Sequence, residues 1–240
     1  MMNEILKVEH LTKTYGRKTV LKDLNISVRK GSVFGLLGAN GAGKSTSIGC
    51  MLGTEKADDG RVYLFGKERG KNRKLFEKIG VQFQEGDYQN EIKVKELCEE
   101  TSCLYRNPVD WQSLCHRFGI EDKTNSRVKH LSGGERQKLF IIQALIPGPE
   151  LVFLDELTTG LDVRSRREVW KILSELKEQG LTIFLTSHFM DEVEALCDEI
   201  CILKRGNTVF QGTICEAKEI CGCKQFTDAY LKLSEDEVMS

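Results

Sequence analysis

Gly38-Ala39-Asn40-Gly41-Ala42-Gly43-Lys44-Ser45 fits the spacing G-x-x-x-x-G-K-[ST], and Thr46 follows it. The chemistry such a run serves is capture of a polyphosphate. Glycines let the backbone wrap tightly enough to aim N–H groups at phosphate oxygens, and a following helix adds its positive N-terminal end. Lys44 brings a mobile cation to the β and γ phosphates, and Ser45 offers a hydroxyl to Mg²⁺. Magnesium keeps much of its water, so one hydroxyl and one carboxylate suffice as protein ligands. The four fixed positions arise by chance in roughly one chain of this length in a hundred. This loop also stands between a buried apolar run and a helical one, where the mechanism needs it.

Two acids close the apolar run Leu151-Val152-Phe153-Leu154-Asp155-Glu156. Ligands of α/β sheets gather at the carboxyl ends of strands, which suits Asp155 for Mg²⁺ and Glu156 for orienting and polarising a water. His188 ends Thr186-Ser187-His188 after another apolar run, and its place suits a γ-phosphate contact. Leu131-Ser132-Gly133-Gly134-Glu135 holds a capping box, with Ser132 as N-cap and Glu135 at the third helical position. Capping does not select two glycines, each about 1 kcal/mol worse than Ala inside a helix. Close approach of a phosphate to that helix end does.

The elements that must carry these groups alternate. Leu24, Ile26 and Val28 show strand periodicity, Val33–Leu37 reads as a buried strand, and a helix runs from the glycine loop to about Leu52. Val62–Phe65 is a short strand. From Lys93 to Ile146 the spacing turns helical, with Leu97, Thr101 and Leu104 on one face, Leu114 and Phe118 on another, and breaks at Pro108 and Gly119. After the strand 151–154 come a helix over 164–177, a strand over 181–186 and a helix over 190–197. Arg205-Gly206-Asn207 then joins the strands 200–203 and 208–210 as a hairpin. The residues after Ser234 are expected to fray. Such alternation predicts a largely parallel α/β core.

The chain's 240 residues suit one domain with a subdomain. Its 35 basic and 36 acidic side chains give a net charge of −1, which rules out a whole-protein basic field for nucleic acid or anionic lipid. No apolar run approaches the roughly 18–20 residues of a membrane span, and the N-terminus lacks a secretory apolar core. A cytoplasmic location is expected. Nine cysteines, an odd number, spread from Cys50 to Cys223 argue against a disulfide framework, and their spacing matches no paired zinc pattern. Reduced thiols are expected.

Taken in order, these motifs resemble the nucleotide-binding subunit of an ABC (ATP-binding cassette) transporter, from about Ile5 to Gly212, and most resemble the branch serving drug, antibiotic and sodium exporters. In that resemblance Leu131–Glu135 is the signature motif, Leu151–Glu156 the Walker B strand and Thr158-Thr159-Gly160-Leu161-Asp162 the D-loop. Tyr15 stands where an aromatic stacks on adenine, Gln84 in the loop joining core to helical subdomain, and His188 at the switch histidine. The resemblance implies a RecA-like P-loop core (1–84 and 148–215) with an N-terminal antiparallel β subdomain, an inserted helical subdomain (85–147) and a short tail (216–240). It implies catalytic roles for Glu156, His188, Lys44 and Gln84, and Mg²⁺ at Ser45, Gln84 and Asp155. ATP would be held by Tyr15, Gly38, Asn40, Gly41, Ala42, Gly43, Lys44, Ser45, Thr46, Ser132, Gly133, Gly134 and Asp162. It further implies a head-to-tail homodimer sharing two ATP, with separate permease subunits in the membrane and no nucleic acid.

Three positions depart from the family pattern: Leu157 replaces a usual Pro, while Lys138 and Gln143 replace common Arg residues. They bear on packing and rate. ABC ATPases of DNA repair or translation usually carry coiled-coil arms, zinc modules or a second cassette, and this chain has none of these. A guanine-specific switch would want an N-K-x-D motif, also absent.

Overall fold

The computed structural model describes residues 4–70, 73–82 and 91–234. By its packing the chain divides into two compact units, Met1–Lys71 with Phe184–Ser240, and Asn72–Ile183.

In the first unit, β1 (Glu4–Tyr15), β2 (Lys18–Arg29), β3 (Val33–Leu37), α1 (Lys44–Leu52), β4 (Asp59–Leu64) and β5 (Lys67–Glu68) follow one another. Four of these strands form an antiparallel sheet in the order β2-β1-β4-β5. Leu6 pairs with Val28 and Val8 with Ile26, so their side chains share the buried face. A register shift between Val8 and Leu11 changes the phase, with His10 at φ 53° and, across the ladder, Asp23 at φ 58°. Beyond that bulge the odd-numbered Leu11 and Lys13 turn inward instead of the even-numbered residues.

The second unit opens on a 3-10 turn and then holds β6 (Ile79–Gln82), α2 (Val94–Cys103), α3 (Trp111–Arg117), α4 (Gly133–Leu145), β7 (Leu151–Asp155) and α5 (Val163–Glu178). β6 and β7 pair in parallel, Ile79 opposite Leu151 and Gln82 opposite Leu154. α4 lies close over β6, because a Cβ built at Gly80 would stand 1.9 Å from the Ala144 carbonyl oxygen. Backbone cannot yield as a side chain can. Gly80→Ala is therefore expected to cost about 1–3 kcal/mol, read as a thermal midpoint several degrees lower; an unchanged midpoint would refute that packing.

β8 (Thr182–Ser187) runs from the second unit into the first, where α6 (Met190–Leu196), β9 (Glu199–Lys204), β10 (Asn207–Gly212), α7 (Ile214–Cys221) and α8 (Phe226–Ser234) complete the chain. Within that unit the order is β10-β9-β3-β8, with β9 parallel to β3 and antiparallel to β10. Phe34 stacks on Phe184 at 5.5 Å. The segment from 216, expected as a short tail, contributes most of two helices. Ala217, Phe226 and Ala229 are buried against Leu37, Ile200, Ile202 and Phe210.

The expected α/β fold with an antiparallel subdomain and a helical insertion is what is found. One helix face differs. α2 buries Val94 and Cys98, whereas Leu104, expected on one face with Leu97 and Thr101, is 80 % exposed. Leu104 is the C-cap of this helix and stands uncovered at its end. Among the described residues, no helix is long and apolar enough to cross a membrane.

Candidate nucleotide-binding site

The first unit carries the phosphate loop between β3 and α1. Gly43, the N-cap of α1, has φ 114° and Gly41 has φ 78°, conformations that L side chains rarely adopt. The fold also crowds the loop. A Cβ at Gly38 would stand 2.5 Å from the Leu203 carbonyl oxygen, and one at Gly43 would stand 2.7 Å from Leu21 Cδ2. Gly206, in the β9–β10 turn, donates to the Ala42 carbonyl at 3.1 Å and accepts from Lys22 N at 2.9 Å. The loop is thus braced by β2 on one side and the β9–β10 hairpin on the other.

Lys44 is 6 % exposed, and its Nζ donates to the carbonyls of Gly38 at 2.8 Å and Ala39 at 3.3 Å. The ammonium therefore sits in the loop's own concavity, where phosphate oxygens would take over from carbonyls. Ser45 is exposed, whereas Ser47 turns inward and donates to the Gly43 carbonyl. Asn40 and Gly41 are exposed on the rim and Ala42 is buried beneath it.

Tyr15, at the end of β1, is 44 % exposed. Desolvation first, then the nearby Glu55 carboxylate, raises the phenol above its ordinary range. His188 follows β8, the neighbour of β3, and is exposed, its ring 4.2 Å from that of Phe189.

The second unit holds the carboxylates and the second glycine motif. Asp155, at the end of β7, is 4 % exposed, and its main-chain oxygen accepts from Gln82 Nε2 at 3.2 Å. Glu156 has φ 53°, a left-handed conformation uncommon for a residue without a side chain suited to it. Strain at that residue re-aims the chain where the strand ends, and Thr159 N closes the turn on the Glu156 carbonyl at 3.2 Å.

Ser132 caps α4 as its sequence implies. Its Oγ accepts from Glu135 N at 3.2 Å, and its N–H donates to Glu135 Oε2 at 2.8 Å. That backbone hydrogen bond is the main cause holding the Glu135 carboxyl below its usual range. The helix start stands beside the Gly160–Leu161 turn, where Leu161 Cδ2 would be 3.2 Å from a Cβ on Gly134. The second motif and the segment after Glu156 are therefore neighbours. Gln137, which no motif reading singled out, ties them further by donating from Nε2 to the Leu157 carbonyl at 2.7 Å. Only its burial on α4 betrays it, and burial is not visible in a sequence.

Asp162 has a local task as well. Its carboxylate accepts from Arg164 N at 2.9 Å, Ser165 N at 3.0 Å and Ser165 Oγ at 2.8 Å, capping α5. The departures from the family pattern are packing contacts. Leu157 is fully buried, Lys138 pairs with Glu168 at 3.3 Å, and Gln143 bridges from α4 to the Leu97 carbonyl and Thr101 Oγ1 of α2. Gln84 lies outside the described residues.

Residues 21–159 match the family model described as ABC transporter. The chain belongs to the ABC transporter family. It is 38 % identical over 214 residues to the Nod factor export ATP-binding protein I of Ralstonia nicotianae, covering 87 % of this chain and 67 % of that one. It is 34 % identical over 218 residues to the linearmycin resistance ATP-binding protein LnrL of Bacillus subtilis, covering 87 % and 69 %. Among solved structures, an ATP-binding subunit of an ABC transporter superposes with TM-score 0.87 at 25 % identity, covering 96 % of this chain and all of that one. The protein cbiO1 of Clostridium perfringens, part of an ABC transporter complex, gives TM-score 0.78 at 30 % identity, with 95 % and 93 % covered. The chain accordingly binds and hydrolyses ATP.

Proposed function

We propose that two copies of this ABC ATPase close head to tail around two ATP, and that closure drives export through separate membrane-embedded permease subunits. The observation that carries the dimer is Gly133. A Cβ added there would meet nothing nearer than the Gly160 carbonyl at 3.8 Å, and its backbone is ordinary helix. Neither conformation nor packing within the unit selects glycine, in contrast to Gly80, Gly38 and Gly43. A ligand approaching from outside the chain does, and the exposed Ser132 hydroxyl can still donate its proton to that ligand.

In this reading the Gly38–Thr46 loop of one protomer faces the Ser132-Gly133-Gly134 helix start of its partner across one triphosphate, with Asp162 near the seam. Tyr15 stacks on adenine. Loop N–H groups and Lys44 hold the β and γ phosphates. Ser45, Asp155 and Gln84 would hold Mg²⁺, and the hard oxygens of an exposed hydroxyl and a strand-end carboxylate suit that ion. Bound magnesium supplies charge neutralisation at the phosphates. Glu156 orients the attacking water and polarises its O–H, so that the oxygen meets the γ phosphorus in line, and His188 contacts the γ-phosphate. Loss of that phosphate removes the adhesion between protomers.

We assign the core to 1–84 and 148–215 and the helical subdomain that transmits closure to 85–147, with α7 and α8 packed on the core in place of the expected tail. A cytoplasmic position on the inner membrane face, held by the permease, follows from that coupling. The export direction is supported by the two relatives named for export and for resistance.

Gly133→Ala tests the shared seam. Replacing glycine by alanine in a helix is worth up to about 1 kcal/mol, so thermal stability is expected to hold or rise slightly, while steady-state ATPase falls at least about tenfold. A variant both stable and fully active would remove Gly133 from the site.

A further inference from the structure

The bulge in β1 turns a lysine inward beneath the exposed tyrosine, and nothing in the phosphate chemistry uses it. Lys13 is 9 % exposed, yet its ammonium is well partnered: Nζ donates to the Lys56 carbonyl at 2.6 Å and lies 4.0 Å from a Glu55 carboxylate oxygen. The same nitrogen stands 4.7 Å from the centroid of the Tyr15 ring. The ring thus carries a cation against one face, while 44 % of the residue remains open to solvent.

We propose that Lys13 is a positioning residue for the nucleobase: by seating its ammonium against one face of Tyr15, it presents the opposite face, preset, to the adenine ring. The inference rests on the reading of Tyr15 as the adenine platform. Two physical effects support it. A surface aromatic free to change rotamer must be ordered when a base stacks on it, and a ring already fixed avoids that cost. A cation on one face also draws on the ring's quadrupole, which lessens face-to-face repulsion with a second π-system on the other side.

The test separates base from phosphate. Binding of Mg-ATP and of Mg-tripolyphosphate, which lacks base and ribose, is measured by calorimetry on the full chain and on Lys13→Gln, Lys13→Arg and Tyr15→Ala. Glutamine keeps a donor for the Lys56 carbonyl and removes the charge; arginine keeps the charge. Lys13→Gln is expected to weaken ATP about three- to tenfold with tripolyphosphate unchanged, and Lys13→Arg to bind ATP within about twofold of the parent. If Lys13→Gln weakens both ligands equally, the lysine merely supports the fold and the inference is overturned. If it binds ATP normally while Tyr15→Ala does not, the inference falls and the tyrosine reading stands. If Tyr15→Ala itself binds ATP normally, the tyrosine reading fails first. Should Lys13→Gln not fold, Lys13→Met is read against the same two ligands.

Discussion

Glu156→Gln is expected to bind ATP as tightly as the parent, accumulate as a nucleotide-bound dimer and turn over about 10²–10⁴ times more slowly. The amide keeps the shape of the side chain, so the left-handed turn at φ 53° and the Thr159 hydrogen bond that closes it have no reason to change. What it loses is basicity: an amide cannot draw the proton of an attacking water. It also removes a negative charge facing a triphosphate, which favours occupancy. Size-exclusion chromatography with Mg-ATP, alongside a phosphate-release assay, reads both quantities. A variant that stays monomeric in ATP while hydrolysing at the parent rate would strip Glu156 of its role.

Lys44→Ala is expected to lose ATP affinity by about a hundredfold or more, since charge-assisted hydrogen bonds to phosphate contribute about 1.5–3 kcal/mol each. Within the chain the ammonium bonds to its own loop at Gly38 and Ala39, a neutral acceptor pair that a polyphosphate would outcompete. Removing it takes away the cation without touching the glycine conformations or the bracing by Gly206. Thermal unfolding of the nucleotide-free variant is expected to change little, because the loop is fixed mainly by backbone contacts. Unchanged ATP affinity would refute the assignment of the loop.

The local structure of the candidate site was legible where a single residue type is mandatory. The phosphate loop needs glycine at Gly38 and Gly43, both for positive φ and for room beside Leu203 and Leu21, so the pattern survives in the sequence as a pattern. The acids at the end of Leu151–Leu154 and the capping box at Ser132 were readable for the same reason, since each follows from a local rule of strands or helix starts. Contacts between distant segments were not. Lys13 meets the Lys56 carbonyl across 43 positions, and only a bulge, marked by no glycine, turns it inward. β1 itself runs from Glu4 to Tyr15 without a clean alternation because that register shift interrupts it. The spacing that groups Leu104 with Leu97 and Thr101 does not show which side of α2 is covered, and Leu104, its C-cap, is exposed. α7 and α8 are short and partly polar, and their burial of Phe226 and Ala229 depends on a sheet formed elsewhere in the chain.

Lys44→Ala and Gly133→Ala, each expected to be strongly impaired alone, allow a direct mixing experiment on the shared seam. If one ATP site takes its phosphate loop from one protomer and its glycine helix start from the other, a mixed dimer holds one site with both parts intact. Equal mixing then restores single-turnover hydrolysis at about a quarter of the parent's sites, as expected for random pairing of a two-fold symmetric dimer. Mixtures that remain as inactive as either variant, with mixed dimers shown to form, would contradict a site built from two chains.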